Sequence, residues 1–302
     1  MTDQLSPSKS SDGSSIASQP RLRDAAWTWE RVWRRSRYAV ITIINLTIFA
    51  FIWEGVANWY GNYNFFPKFS DMMGAFFTGW FGGGDSTNET FDLLQDFVIA
   101  RNFWVTLKLY LIAMATSIVV GIPLGLLMGG SKWIDAIFSP YVWTLSSLPR
   151  IAIAPILILF LGLGDAFKFA VIISTAIFPV IINTWAGVKT TEQSLINAAR
   201  VFGASKGQIY QKVVLPYTLP FVVSGIQLSL SRGLVGVVIA EFLSGASKDG
   251  GVGWLIFRSA RTFNASLTYA ALLSLALFAL FLVQGTRSME ARIAPWRQVS
   301  KT

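Results

Sequence analysis

Residues Val188 to Pro220 read VKTTEQSLINAARVFGASKGQIYQKVVLPYTLP, a polar, helix-forming stretch set between two apolar blocks. Thr190, followed three residues later by Gln193, has the spacing of a capping box and predicts a helix through Glu192, Leu195, Ala198, Ala199 and Phe202. Gly203 falls where a helix would end on a left-handed residue. Ser205 with Gln208 makes a second capping box, and a second helix is expected to run towards Leu215 and stop at Pro216. Two short helices bent at a glycine make a compact knuckle.

Composition says what kind of chain carries this knuckle. Of 302 residues, 53% are hydrophobic and 14% charged, against about 25% charged in soluble domains. The absence of Cys excludes a disulfide framework, a thiolate ligand and a Cys nucleophile; the absence of His removes the commonest general base and metal ligand. A net charge of +9 would suit nucleic acid or a membrane surface, so the placement of the basic residues decides between them.

Residues 1–20 are rich in Ser, Asp, Gln and Pro and read as a disordered cytoplasmic tail. From Arg21 to Arg37 the composition flips: Ala25, Trp29, Val32 and Trp33 share one helical face, with Arg31, Arg34 and Arg35 largely off it. That pattern predicts a helix lying in the membrane interface, against lipid; a plain basic segment beside the membrane is the alternative. Residues 38–60 form a first transmembrane anchor, and 61–101 an external, Gly-rich and aromatic segment. Five more apolar blocks follow, at 102–130, 141–163, 167–188, 219–243 and 263–285, and residues 286–302 form a tail. The block at 102–130 carries Gly121, Gly125 and Gly129, which allow another helix to approach closely. The block at 141–163 is broken by Pro149 and Pro155. The expected fold is therefore an all-α polytopic membrane protein of about six transmembrane helices.

With the N-terminus placed in the cytoplasm, sixteen of the 25 Lys and Arg fall in cytoplasmic segments. Six fall outside (Lys68, Arg101, Lys168, Lys248, Arg258 and Arg261), and three within spans (Lys108, Arg150 and Arg232). This is the positive-inside bias. It puts both termini and the knuckle (188–218) in the cytoplasm and leaves no need for nucleic acid.

The string Ala198-Ala199-Arg200-Val201-Phe202-Gly203-Ala204-Ser205, followed by Val213-Val214-Leu215-Pro216, resembles the "EAA" loop of permease subunits in bacterial ATP-binding-cassette importers. Asn197 stands where that loop usually has glutamate. The resemblance extends over 102–285 through Val120-Gly121-Ile122-Pro123-Leu124-Gly125, Leu148-Pro149-Arg150-Ile151-Ala152, Phe160-Leu161-Gly162-Leu163-Gly164, Phe178-Pro179 with Asn183-Thr184, and Glu241-Phe242. These runs are similar to permeases for nitrate, sulfonate, taurine and bicarbonate.

The resemblance implies a type I importer permease of the bacterial inner membrane, working as a homodimer or pseudodimer. It implies two cytoplasmic ATPase subunits and an external substrate-binding protein that supplies most of the selectivity. It also implies that the ATPase docks on Asn197, Ala198, Ala199, Arg200, Phe202, Gly203, Ala204, Ser205 and Pro216. The chain has no phosphate-binding G-x-x-x-x-G-K-[ST] loop, so ATP and Mg belong to the partner, and this chain is expected to be a transport subunit without cofactor or enzymatic activity. The rival reading is an ion-gradient-driven carrier or channel, which leaves the knuckle without a purpose.

Charges at membrane depth are candidates for a pathway. Arg150 sits in the Pro-broken block, and Arg232 is near the middle of its span. Glu241 follows nine residues later, half a turn out of phase with Arg232, so the two are not expected to pair. Lys108 is close enough to the span end to snorkel. Two arginines among the three candidates Arg150, Arg232 and Glu241 favour an anionic substrate. Permeases of similar sequence are also thought to carry neutral or cationic vitamin precursors, so the resemblance alone leaves the substrate's charge open.

Overall fold

A computed structural model describes residues 21–82, 97–244 and 250–293. Every element among them is helical: α1 (Arg21–Tyr60), α2 (Phe69–Phe81), α3 (Val98–Gly130), α4 (Lys132–Ser147), α5 (Arg150–Leu161), α6 (Asp165–Lys189), α7 (Gln193–Val201), α8 (Lys206–Ile209), a π-helical turn (Tyr210–Val214), α9 (Leu215–Leu243), α10 (Val252–Arg261) and α11 (Ala265–Ile293). Five stretches are long and apolar enough to cross a membrane, and six if α4 and α5 are one broken span.

α1 is a unit by itself, with residues 60–302 forming the other. It is one unbroken helix of 40 residues, with no interruption between the expected interfacial and anchoring parts. The side chains of the expected interfacial face, and the tail at 1–20, lie outside the described residues. So do the glycine-rich stretch at 83–96 and the chain end at 294–302.

In the second unit α6 is central, packed on α3 and α9. The glycine stripe explains how closely. A methyl group on Gly121 would lie 3.0 Å from the Val180 side chain, and one on Gly125 would lie 2.7 Å from that of Thr184. Gly129 meets Val188 in the same way. Four-residue spacing on both helices keeps them in contact over two turns. Tyr110, Ala113 and Met114 of α3 bury against Ile172 and Ala176 of α6 and Val237 of α9.

The segment at 61–101 contains a helix of its own. Its apolar helix α2 buries Met72 against Ile99, Val252, Leu255 and Leu267, joining α3, α10 and α11. At 13 residues it is too short to register as a span. The break in the middle block falls at Pro149, where α4 and α5 bend by 105°. Pro155 lies inside α5 without ending it.

Candidate functional site

Three places collect the residues singled out by sequence: the knuckle, a cavity beside α9, and the junction of α3, α9 and α10.

At the knuckle, α7 closes with Gly203 at φ +77°. The Ala204 N–H donates to the Ala199 carbonyl at 3.0 Å and the Gly203 N–H to that of Arg200 at 2.9 Å, the paired bonds of a Schellman closure. Ser205 caps α8: its N–H donates to Gln208 Oε1 at 2.8 Å and its hydroxyl accepts from the Gln208 N–H at 3.4 Å. Two local expectations fail. Thr190 does not open α7; its hydroxyl donates back to the Ala186 carbonyl at 2.8 Å, because α6 runs on through Lys189 and claims it. Pro216 does not stop the second helix, which continues through the π-helical turn into α9. The wider turn lets the Leu215 N–H reach the Tyr210 carbonyl, and Pro216, with no N–H, follows within the first turn of α9, where a donor is least needed.

The knuckle is fastened on one side and bare on the other. Val188, Ile209 and Val214 form its small core with Leu126, Ala199 and Ala204. The Tyr210 hydroxyl donates to the Leu126 carbonyl of α3 at 2.9 Å. Nearby, Asp135 of α4 receives the Trp185 indole N–H at 2.9 Å and pairs with Lys189 at 2.8 Å. Asn197, Ala198, Arg200, Phe202, Gly203, Ser205 and Pro216 are exposed, while Ala199 and Ala204 are half-buried. Val201 and Phe202 are 85% and 89% exposed, an uncovered apolar pair on an otherwise polar turn. The Asn197 amide oxygen accepts from Gln193 Nε2 at 3.1 Å, so it is tied along its own helix.

The cavity, of about 530 Å³, lies between the α4–α5 break and α9. Ser146, Leu148, Pro149 and Ile151 line one side, and Thr175, Ser231, Arg232 and Val235 the other. Arg232 is exposed to it, and among the described residues its guanidinium has no ion-pair or hydrogen-bond partner. Arg150 opens α5 between two cavity-lining residues; its side chain is outside the description. Lys108 is exposed on α3.

Glu241 lies elsewhere, as the half-turn phase predicted. It is completely buried. Thr106 of α3 donates to its Oε1 at 2.7 Å, and the Gly253 N–H to its Oε2 at 2.7 Å. Thr106 in turn accepts from the Val252 N–H at 2.8 Å, and Asn102 accepts from the Gly251 N–H at 2.9 Å. Three successive amides at the start of α10 are thus each held by a side chain, with the carboxylate at the positive end of the helix. Lys168 also belongs here. It is wholly buried in the first turn of α6, 3.4 Å from the Gly250 carbonyl and 3.7 Å from Asp165. Nothing local in the sequence pointed to the contacts of Asn102, Thr106 and Lys168 with residues 149, 135 and 82 positions away.

Helical elements throughout the described residues, with five or six stretches long and apolar enough to span a membrane, define a polytopic membrane protein. Residues 121–297 match the family model for the binding-protein-dependent transport system inner membrane component, and the chain belongs to that family. It is a multi-pass inner-membrane protein. It is 27% identical over 202 residues to the taurine transport system permease protein TauC of Escherichia coli, covering 67% of this chain and 72% of that one. It is 31% identical over 178 residues to the putative aliphatic sulfonates transport permease protein SsuC of Bacillus subtilis, covering 59% and 63%. A chain from inward-facing structures of the MetNI methionine ABC transporter matches with a TM-score of 0.54, over 65% of this chain and 95% of its own, at 21% identity, which supports the fold.

Proposed function

We propose that this chain forms the translocation pathway of an ATP-driven importer and receives a small anion at Arg232. The observation that carries the reading is an arginine near the middle of a span, facing a cavity, with no partner among the described residues. A bare charge at that depth is costly unless water or a ligand meets it, and guanidinium suits forked oxyanions. The cavity's other polar groups, Ser146, Thr175 and Ser231, are neutral, so no carboxylate lining it competes with the anion.

The knuckle is cytoplasmic by the bias of Lys and Arg and docks a separate ATPase subunit, which holds ATP and Mg. The uncovered Val201 and Phe202 provide the apolar contact. A second permease copy and an external binding protein complete the transporter, the latter delivering taurine-like or sulfonate-like oxyanions, as the similar permeases suggest. Arg150 adjoins the same cavity in sequence and is a second candidate for the pathway. Glu241, the third, is better suited to holding α10 in place.

The test is Arg232→Gln in the assembled complex, which removes charge but keeps hydrogen-bonding capacity. Uptake of an anionic substrate is expected to fall about tenfold or more, the loss of one charge-assisted bond. Copurification with the ATPase should be unchanged. Full uptake would end the pathway role, and lost assembly would make Arg232 structural. Transport by the chain reconstituted without an ATPase would favour the gradient-driven carrier instead.

A further inference from the structure

From the cavity's Ser231, further polar residues recur along α9. At about 100° per residue, Ser224, Gln227 and Ser231 fall within about 60° of one another on that helix, with Tyr217 and Val235 on the same face. Gly225, Ser229, Gly233 and Gly236 lie on the opposite face, buried against α3 and α6. The face carrying Ser224, Gln227 and Ser231 is therefore the less buried one, with Leu228 and Val235 exposed on it as well. Ser231 is exposed, and Ser224 and Gln227 are half-buried.

A face turned to lipid is apolar, as α3 demonstrates with exposed Leu111, Ile112, Val119 and Val120. The less buried face of α9 differs in mixing Leu228 and Val235 with Ser224, Gln227 and Ser231. The serines satisfy their own protons, Ser224 on the Pro220 carbonyl at 2.9 Å and Ser231 on that of Gln227 at 3.4 Å. The Gln227 amide has no partner among the described residues. An unpaired amide in hydrocarbon costs on the order of several kcal/mol, whereas in water it costs nothing. The row starts at the cavity, where Ser231 stands beside Arg232, and descends about 10 Å to Ser224, at 1.5 Å per residue, towards the knuckle.

We infer that Ser224, Gln227 and Ser231 form a water-lined polar track by which the anion leaves the Arg232 cavity for the cytoplasm. This rests on the pathway reading of that cavity. Weak neutral groups suit an exit, because a second tight site would hold the ion.

The chain contains no cysteine, so single variants report cleanly. S224C, Q227C and S231C would be made in the complex with its ATPase, with V119C and L280C as exposed apolar controls on α3 and α11. The probe is the anionic reagent 2-sulfonatoethyl methanethiosulfonate, which reacts with the thiolate and so needs water at the site. Track positions are expected to label at least ~10-fold faster than the controls. Equal rates would overturn the track. Cross-linking of two copies through Q227C without labelling would also overturn it, assigning the face to a dry contact. Fast labelling while Arg232→Gln keeps full uptake would uphold the water-lined track and remove the anion from Arg232, so the two readings fail separately.

Discussion

Glu241→Ala should destabilise the folded permease severely. The carboxylate accepts two bonds at 2.7 Å in a site with no exposure. Removing it leaves the Thr106 hydroxyl and the Gly253 N–H without an acceptor, at about 1–3 kcal/mol for each buried unsatisfied group. It also leaves buried Lys168 in a site stripped of one negative charge. Gly251→Val should be as harmful by another route. Gly251 has φ +120°, a conformation that Val rarely adopts, and any Cβ there runs into the Glu241 carboxylate. Thermal unfolding of the detergent-purified complex checks both, and both should melt well below the parent, with Glu241→Gln in between. If Glu241→Ala melts normally but loses transport, the carboxylate serves the pathway and α10 is held by something else.

How such residues could be read from sequence differs with the range of the interaction. The spans are readable because crossing hydrocarbon needs about 20 apolar residues, a constraint that each segment meets alone. Gly121, Gly125 and Gly129 are readable for a similar reason, since a small-residue row on one helix has few uses besides close approach. Gly203 and the Ser205–Gln208 box are satisfied within five residues, and both form. Thr190 and Pro216 have two local outcomes each. The choice lies with what precedes them: α6 extending to Lys189 takes Thr190, and the π-helical turn absorbs Pro216. Phase along α9 was enough to part Arg232 from Glu241. It could not name Thr106 or Gly253 as Glu241's partners, because those contacts exist only once α3, α9 and α10 have packed. Lys168 is hidden for the same reason: a lysine between two apolar blocks shows no sign of burial until the Gly250 carbonyl ahead of α10 meets it.

Gly203→Val is expected to uncouple the transporter while leaving it in the membrane. Gly203 has φ +77°, and a Cβ there would meet nothing within 4 Å, so the substitution acts through backbone conformation and not through a clash. A left-handed β-branched residue costs about 1–3 kcal/mol. The easiest relief is to give up the Schellman bonds of Gly203 and Ala204, which lets α7 swing relative to α8. α8 continues into α9 and Tyr210 remains anchored on Leu126, so the spans keep their packing. What moves is the exposed pair Val201 and Phe202 together with Asn197 and Arg200, the surface proposed above to meet the ATPase. Membrane insertion and thermal stability should therefore stay near the parent, with copurification of the ATPase or coupled uptake lost. Gly203→Asn separates geometry from chemistry. Asn tolerates the left-handed region, so this variant should retain most of the association despite adding a larger side chain at the same exposed site. Equal loss in Gly203→Asn and Gly203→Val would mean that the ATPase packs directly on the bare glycine. Normal transport in both would mean that it docks somewhere other than the knuckle.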